Sequence, residues 1–291
     1  MLTEHGCKIA PNTYYMAKKR GLSARAQRDE YLKGEIARVR AENLEVYGAD
    51  KVWTQLNREG IRVARCTVER LMRDMGLCGA RRGRAYKLTT RSDERQDRPD
   101  DLVDRHFAAP APNRLWVADL TYVKTHAGWV YAAFIIDVFS RMVVGWQLSQ
   151  SLRSSLALDA LEMAIWNRTR AGQVLDGLVH HSDRGVQYLS IRYSERLSEN
   201  DIVASVGSRG DSYDNAMAEA FHSLYKWELI YPQGPWRGLD DVEYATLGYI
   251  DWFNHRRLHG EITDDNSYVT PAEFEAAYYR QAGPALEAVT Q

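Results

Sequence analysis

Three acidic residues sit at positions where a carboxylate needs a reason. Asp119 interrupts the apolar run Leu115-Trp116-Val117-Ala118-Asp119-Leu120-Thr121-Tyr122-Val123, and a carboxylate in such a strand is costly unless it is paired or binds a cation. Asp183 ends a short apolar strand, in His181-Ser182-Asp183-Arg184-Gly185, and strand ends are where α/β sheets commonly place ligands. Glu219 lies one turn into a helix expected to start at Asp214-Asn215. Between Asp119 and Asp183 lie 63 residues, and between Asp183 and Glu219 lie 35. Converging carboxylates raise one another's pKa and need a cation to stay ionised together. Oxygen donors without histidine or thiolate favour magnesium or manganese over zinc. Two such ions, roughly 3.5–4 Å apart, can activate a water or hydroxyl and stabilise the departing oxygen of a phosphodiester. Taken singly, Asp183 reads as a turn or cap residue and Glu219 as a solvated helix residue. Asp137, in Asp137-Val138-Phe139-Ser140-Arg141, reads as a turn between strands rather than as a ligand. The triplet with its spacing is more specific than its members.

The elements that must position these residues follow from hydrophobic period. Leu115–Val123 is rich in β-branched and aromatic residues and reads as a strand. Trp129–Asp137 and Met142–Leu148 follow after short connections, so the three form an antiparallel meander. A helix is expected over Ser154–Arg170, with Leu156, Ala160, Ala164 and Ile165 inward. Then come a short buried strand (Leu178–His181), a helix (Ile191–Glu199), a strand (Ile202–Val206), a loop (Gly207–Tyr213) and a helix from Asp214 to about Leu229. The order β-β-β-α-β-α-β-α predicts one mixed sheet with helices packed on it.

The N-terminal part has a different character. The chain has 291 residues with a net charge of −1. Residues 1–100 hold 22 basic and 14 acidic residues, and the remainder 16 and 25. A split of +8 against −9 points to an N-terminal region that meets a polyanion. A charged helix is expected over 28–42, with Leu32, Ile36 and Val39 on one face. A second helix carries Val52 and Leu56 and stops at Gly60. A third carries Val68, Leu71, Met72 and Met75 and stops at Gly76. The last two, with Arg65 and Arg70 on the third, resemble a helix-turn-helix. Arg81, Arg82 and Arg84 just beyond extend the basic surface. Pro99, Pro110 and Pro112 mark a linker. The expected organisation is therefore a helical, basic, helix-turn-helix-like region over 1–98, a linker over 99–112, a catalytic core with C-terminal helices over 113–275, and a tail over 276–291. No window approaches the roughly 18 apolar residues of a membrane span, and Met1–Lys8 lacks the pattern of a signal peptide. Cys7, Cys66 and Cys78 offer no CxxC pair for zinc. The expected location is the cytoplasm, associated with the nucleoid.

Asp119, Asp183 and Glu219 with their spacing resemble the D,D(35)E signature of retroviral integrases and related bacterial transposases. The segments Leu115–Tyr122, His181–Tyr188, Tyr213–Glu219, Trp252–His259 and Thr270–Phe274 resemble transposases of small insertion sequences with two overlapping reading frames, as does Val46–Gly48 through Val68–Met72. The likeness covers roughly residues 45–280 and is to the second-frame product. It implies a ribonuclease H-like α/β core, a mixed five-stranded sheet with flanking helices, preceded by the small helical domain. It implies that Asp119, Asp183 and Glu219 bind two Mg²⁺ or Mn²⁺ ions. It also implies that Lys226, seven residues after Glu219, touches the DNA end. Asn215, Glu219, Ser223 and Lys226 share one helix face. Further DNA contacts are expected at Arg65, Arg70, Arg81, Arg82, Arg84, Arg256 and Asn215. The implied activity is 3′-end cleavage and strand transfer on terminal inverted repeats and target DNA. Oligomerisation on DNA and a partner or fusion from the upstream frame are expected with it. A catalytically silent DNA-binding regulator and a nuclease that never joins strands are the alternatives.

Overall fold

The computed structural model describes residues 10–80, 109–183, 187–188, 190–206, 216–263 and 267–289. The chain divides into two compact units, Met1–Ala80 and Arg81–Gln291.

The first unit is helical: α1 (Pro11–Lys19), α2 (Ala24–Glu42), α3 (Ala49–Arg58) and α4 (Arg65–Asp74). Helix α2 begins earlier than the apolar stripe suggests because Ser23 caps it, its hydroxyl accepting from the Ala26 N–H at 3.1 Å. Gly60 and Gly76 follow α3 and α4 with φ of +83° and +69°, a left-handed stop that glycine adopts without penalty. Leu32, Ile36, Val39, Tyr47, Val52, Leu56, Val68, Leu71 and Met72 form the core. Arg40 is buried too, donating to the carbonyls of Tyr47 and Cys78 at 2.6 and 2.9 Å and so tying the α2–α3 turn to the segment after α4.

The second unit carries one sheet in the order β3-β2-β1-β4-β5. Strands β1 (Leu115–Thr125), β2 (Gly128–Asp137) and β3 (Val143–Ser149) pair antiparallel, while β4 (Val179–Ser182) pairs parallel to β1 and β5 (Val203–Val206) parallel to β4. This is the mixed five-stranded sheet expected from the sequence. One face packs on α5 (Ser154–Arg170) and α6 (Ile191–Ser198) through Trp116, Ala118, Ile135, Leu161, Ala164 and Tyr193. Helix α5 approaches so closely that a Cβ on Gly145 would collide with the Ala160 carbonyl and lie 2.8 Å from the Ala164 Cβ. On the other face, Phe134 packs edge-on against Phe221 and Tyr225 of α7 (Ala216–Tyr225). The helix expected to reach Leu229 changes geometry on the way, with a π turn over Lys226–Ile230. Helices α8 (Tyr231–Gln233), α9 (Leu239–His255) and α10 (Pro271–Val289) complete the unit.

Two buried ion pairs brace the second unit. Arg257 donates to both carboxylate oxygens of Glu228, at 2.9 and 2.6 Å. Arg168 donates to both oxygens of Glu275 and lies 3.8 Å from Asp137. Asp137 is fully buried. It accepts from the N–H groups of Asn113 and Ser140 at 2.7 and 2.9 Å and from the Ser140 hydroxyl at 3.0 Å. It is a structural carboxylate that closes the β2–β3 turn, as its sequence context suggests. Asn215, Arg81, Arg82, Arg84, the loop Gly207–Tyr213 and most of the expected linker lie outside the described residues.

Candidate active site

Asp119 and Asp183 each follow directly on the last residues paired between β1 and β4, Ala118 and Ser182. Parallel strands in register put corresponding side chains on the same face, about 4.8 Å apart. Asp119 and Asp183 therefore occupy neighbouring positions where the β1–β4 ladder ends, and Asp119 lies on one face of the sheet. Which face is settled by the antiparallel register, in which Asp119 lies opposite Phe134 and Phe134 packs on α7.

Helix α7 delivers the next groups. His222 is buried, and its Nδ1 lies 3.3 Å from Asp119 Oδ2. The other oxygen, Oδ1, accepts from the Leu120 N–H at 2.8 Å. Glu219 is three residues before His222, hence on the same side of the helix, and is partly exposed. The triplet is not drawn into a common ligand set: among the described residues no three His, Cys, Asp or Glu side chains lie close enough to hold one ion.

The surroundings register the negative charge. Burial pushes the Tyr188 phenol well above its ordinary range, and the charges of Asp183 and Asp119 add to the rise. Both carboxylates thus act on one buried ring. Lys226 is half-buried, which lowers its ammonium, while Asp119 pulls the other way. Its Nζ lies 4.9 Å from the Tyr122 ring centroid.

Sequence reasoning passed over His222 and Tyr188. The signal for His222 was available in its i, i+3 spacing from Glu219. Tyr188 gave none, because its place against both aspartates depends on the chain's return after β4.

The expected DNA-contacting arginines sit in different settings. Arg65, at the start of α4, is exposed and paired with Asp50 and Glu69 at 2.6 and 2.9 Å. Arg70 reaches across to Asp29 of α2 at 2.8 Å and to Asp74 at 3.4 Å. With Arg25, Arg28 and Thr67 it lines an open cavity of about 590 Å³. Arg256 is exposed after α9, 3.1 Å from Asp251.

Comparison with known proteins matches residues 109–212 and 200–264 to integrase core domain families, and residues 26–85 to an HTH-like domain family. The chain is 56% identical, over 94% of its length and 97% of the relative's, to a Mycobacterium tuberculosis protein assigned as the transposase of insertion sequence element IS986/IS6110. It is 50% identical to the transposase of IS629 from Shigella sonnei, over 94% of this chain and 90% of that one. To the IS904 transposase of Lactococcus lactis it is 33% identical, over 84% and 94%. Among solved structures, the HTLV-2 integrase catalytic core domain in complex with magnesium aligns with a TM-score of 0.44 at 18% identity, covering 58% of this chain and 99% of that one. A chain of the simian T-cell lymphotropic virus intasome in complex with PP2A regulatory subunit B56 gamma aligns with a TM-score of 0.47 at 16% identity, covering 81% of this chain and 73% of that one.

Proposed function

The chain belongs to the DDE-type transposases of insertion sequences, and on that premise we propose that its second unit cuts the 3′ ends of an element and joins them to target DNA, with Asp119, Asp183 and Glu219 as its catalytic carboxylates. The observation that supports this reading is that Asp119 and Asp183 directly follow the last residues paired between β1 and β4, with Asp119 on the face that α7 covers. Their hard oxygen donors suit a divalent ion of the magnesium or manganese kind, and two ions are expected. When bound there, such ions supply Lewis acidity toward a phosphodiester and lower the pKa of the attacking oxygen.

The chain's own groups do the rest. Asp119 and Asp183 would hold the ions, and Glu219 would complete the set from α7. The Leu120 N–H and the His222 imidazole fix the two oxygens of Asp119 in orientation. Lys226 reaches the DNA end with its ammonium. In the first step a water oxygen attacks phosphorus and the element's 3′ oxygen leaves. In the second, that freed 3′ hydroxyl attacks a target phosphodiester and the target's 3′ oxygen leaves. Both are in-line displacements, so one site serves both.

The first unit would engage DNA through Arg65, Arg70, Arg81, Arg82 and Arg84, with Arg256 and Asn215 adding contacts from the second. Terminal inverted repeats and target DNA are the substrates, and homo-oligomerisation and an upstream-frame protein or fusion complete the assembly. Residues 1–98, 99–112, 113–275 and 276–291 are the proposed functional divisions. No helix among the described residues is long and apolar enough to cross a membrane, and we place the protein in the cytoplasm with the nucleoid. A strand-transfer assay with labelled element ends, run on this chain and on an upstream-frame fusion, tests the reading. Cleavage without joining in both would overturn it in favour of a nuclease.

A further inference from the structure

Strand β4 pairs with β1 only as far as Ala118, whereas β1 continues to Thr125 alongside β2. The distal part of β1 and β2 carries aromatic rings that the core does not absorb. Tyr122 is 37% exposed and Trp129 48%. Their rings meet edge to face at 5.2 Å and 84°. Side chains alternate along a strand, so Tyr122 stands on the face opposite Asp119. Lys226 joins the two sides: its ammonium lies over the Tyr122 ring and within the field of Asp119. Exposed Lys124, paired in register with Trp129, adds a second cation on the aromatic side.

We propose that Tyr122 and Trp129 form a stacking platform for unpaired nucleotides at the end of the DNA substrate, with Lys226 and Lys124 holding the adjoining phosphates. The proposal rests on the strand-transfer reading and deepens it. The platform takes the strand whose 3′ end is held at Asp119 to be parted from its complement at the end of the duplex. The platform lies across the sheet from Asp119, where the complement's 5′ nucleotides can be received. Aromatic rings capture any unstacked base through its π-face, and lysines supply the charge complement of the phosphates. A lone cross-strand aromatic pair would also stabilise the hairpin, and the test separates the two roles.

The probe is a synthetic duplex with a short unpaired 5′ extension containing 2-aminopurine, compared with the same duplex left blunt, on the full-length chain. The extended duplex is expected to bind more tightly, with quenching of the 2-aminopurine. Trp129→Leu and Tyr122→Leu, which keep apolar bulk, should weaken the extended duplex by roughly five- to hundredfold and abolish quenching, with blunt-duplex affinity unchanged. Trp129→Phe should restore much of both. Thermal melts of the same variants report the hairpin role. Equal affinity for both duplexes, or a preference that survives both leucine variants, overturns the platform alone. Failure to bind either duplex overturns the strand-transfer reading as well.

Discussion

Asp119 and Asp137 belong to adjacent strands, yet they should fail in opposite ways when replaced by alanine. Asp137→Ala removes the acceptor for the Asn113 N–H, the Ser140 N–H and the Ser140 hydroxyl, and takes a charge away from buried Arg168. Deleting one partner of a buried ion pair costs about 3–5 kcal/mol. Arg168 keeps both hydrogen bonds to Glu275, so the low end applies, about 3 kcal/mol. In a body the size of the second unit this is a Tm loss of roughly 6–12 °C. Asp119→Ala removes only a partly exposed side chain and its contacts to Leu120 and His222, so the Tm should move by less than about 4 °C. Strand transfer should behave the other way: absent in Asp119→Ala, and preserved per folded molecule in Asp137→Ala below its Tm. Differential scanning fluorimetry and the strand-transfer assay on the same preparations measure both. An Asp137→Ala protein that is folded and inactive, beside an Asp119→Ala protein that joins strands, would refute the assignment.

Three further outcomes are expected. Cleavage and joining should require Mg²⁺ or Mn²⁺ and stop in EDTA, with Ca²⁺ supporting DNA binding but not chemistry because its longer, irregular bonds misplace the nucleophile; full activity in EDTA would refute this. Burial works to raise the Glu275 carboxyl, but the hydrogen bonds and charge of Arg168 outweigh it and hold it below the ordinary 4.5. A lowered folded pKa adds stability above that ordinary value and loses it as the pH falls through the lowered one, so the Tm gap between wild type and Glu275→Gln should close on acidification. Changing Arg81, Arg82 and Arg84 together to alanine should flatten the salt dependence of DNA binding by about 2–3 in log K against log salt, whereas Arg65→Ala or Arg70→Ala should alter sequence preference, since such helices read base edges.

Local pattern made the strands and helices readable. Leu115–Val123 is β-branched and aromatic enough to commit to a strand, and the apolar faces of α3 and α4 end at glycines that adopt positive φ. The place of Asp119 within a strand was readable as well, from its position after Trp116, Val117 and Ala118. What period and composition could not supply was pairing at a distance. Arg168 and Glu275 are 107 residues apart, and neither residue's neighbourhood advertises the other. The same holds for the contact of Asp119 with His222, which exists only because α7 crosses the sheet over Phe134. Nor does the sequence signal the π turn at Lys226, since Lys226-Trp227-Glu228-Leu229-Ile230 continues a helical pattern; Glu228, within that turn, is buried against Arg257.

The order in which these pieces leave the ribosome has its own consequence. Strands β1 to β3 pair with near neighbours and can form early, but Asp119 gains Asp183 beside it only when β4 has been made. It gains α7 later still, and the Arg168 side chain waits for Glu275, near the end of the described chain. A nascent or prematurely terminated chain that ends before β4 and α7 therefore carries Asp119 without Asp183, Glu219 and His222. A site drawn from residues so far apart along the chain is assembled only after β4 and α7 have both been made.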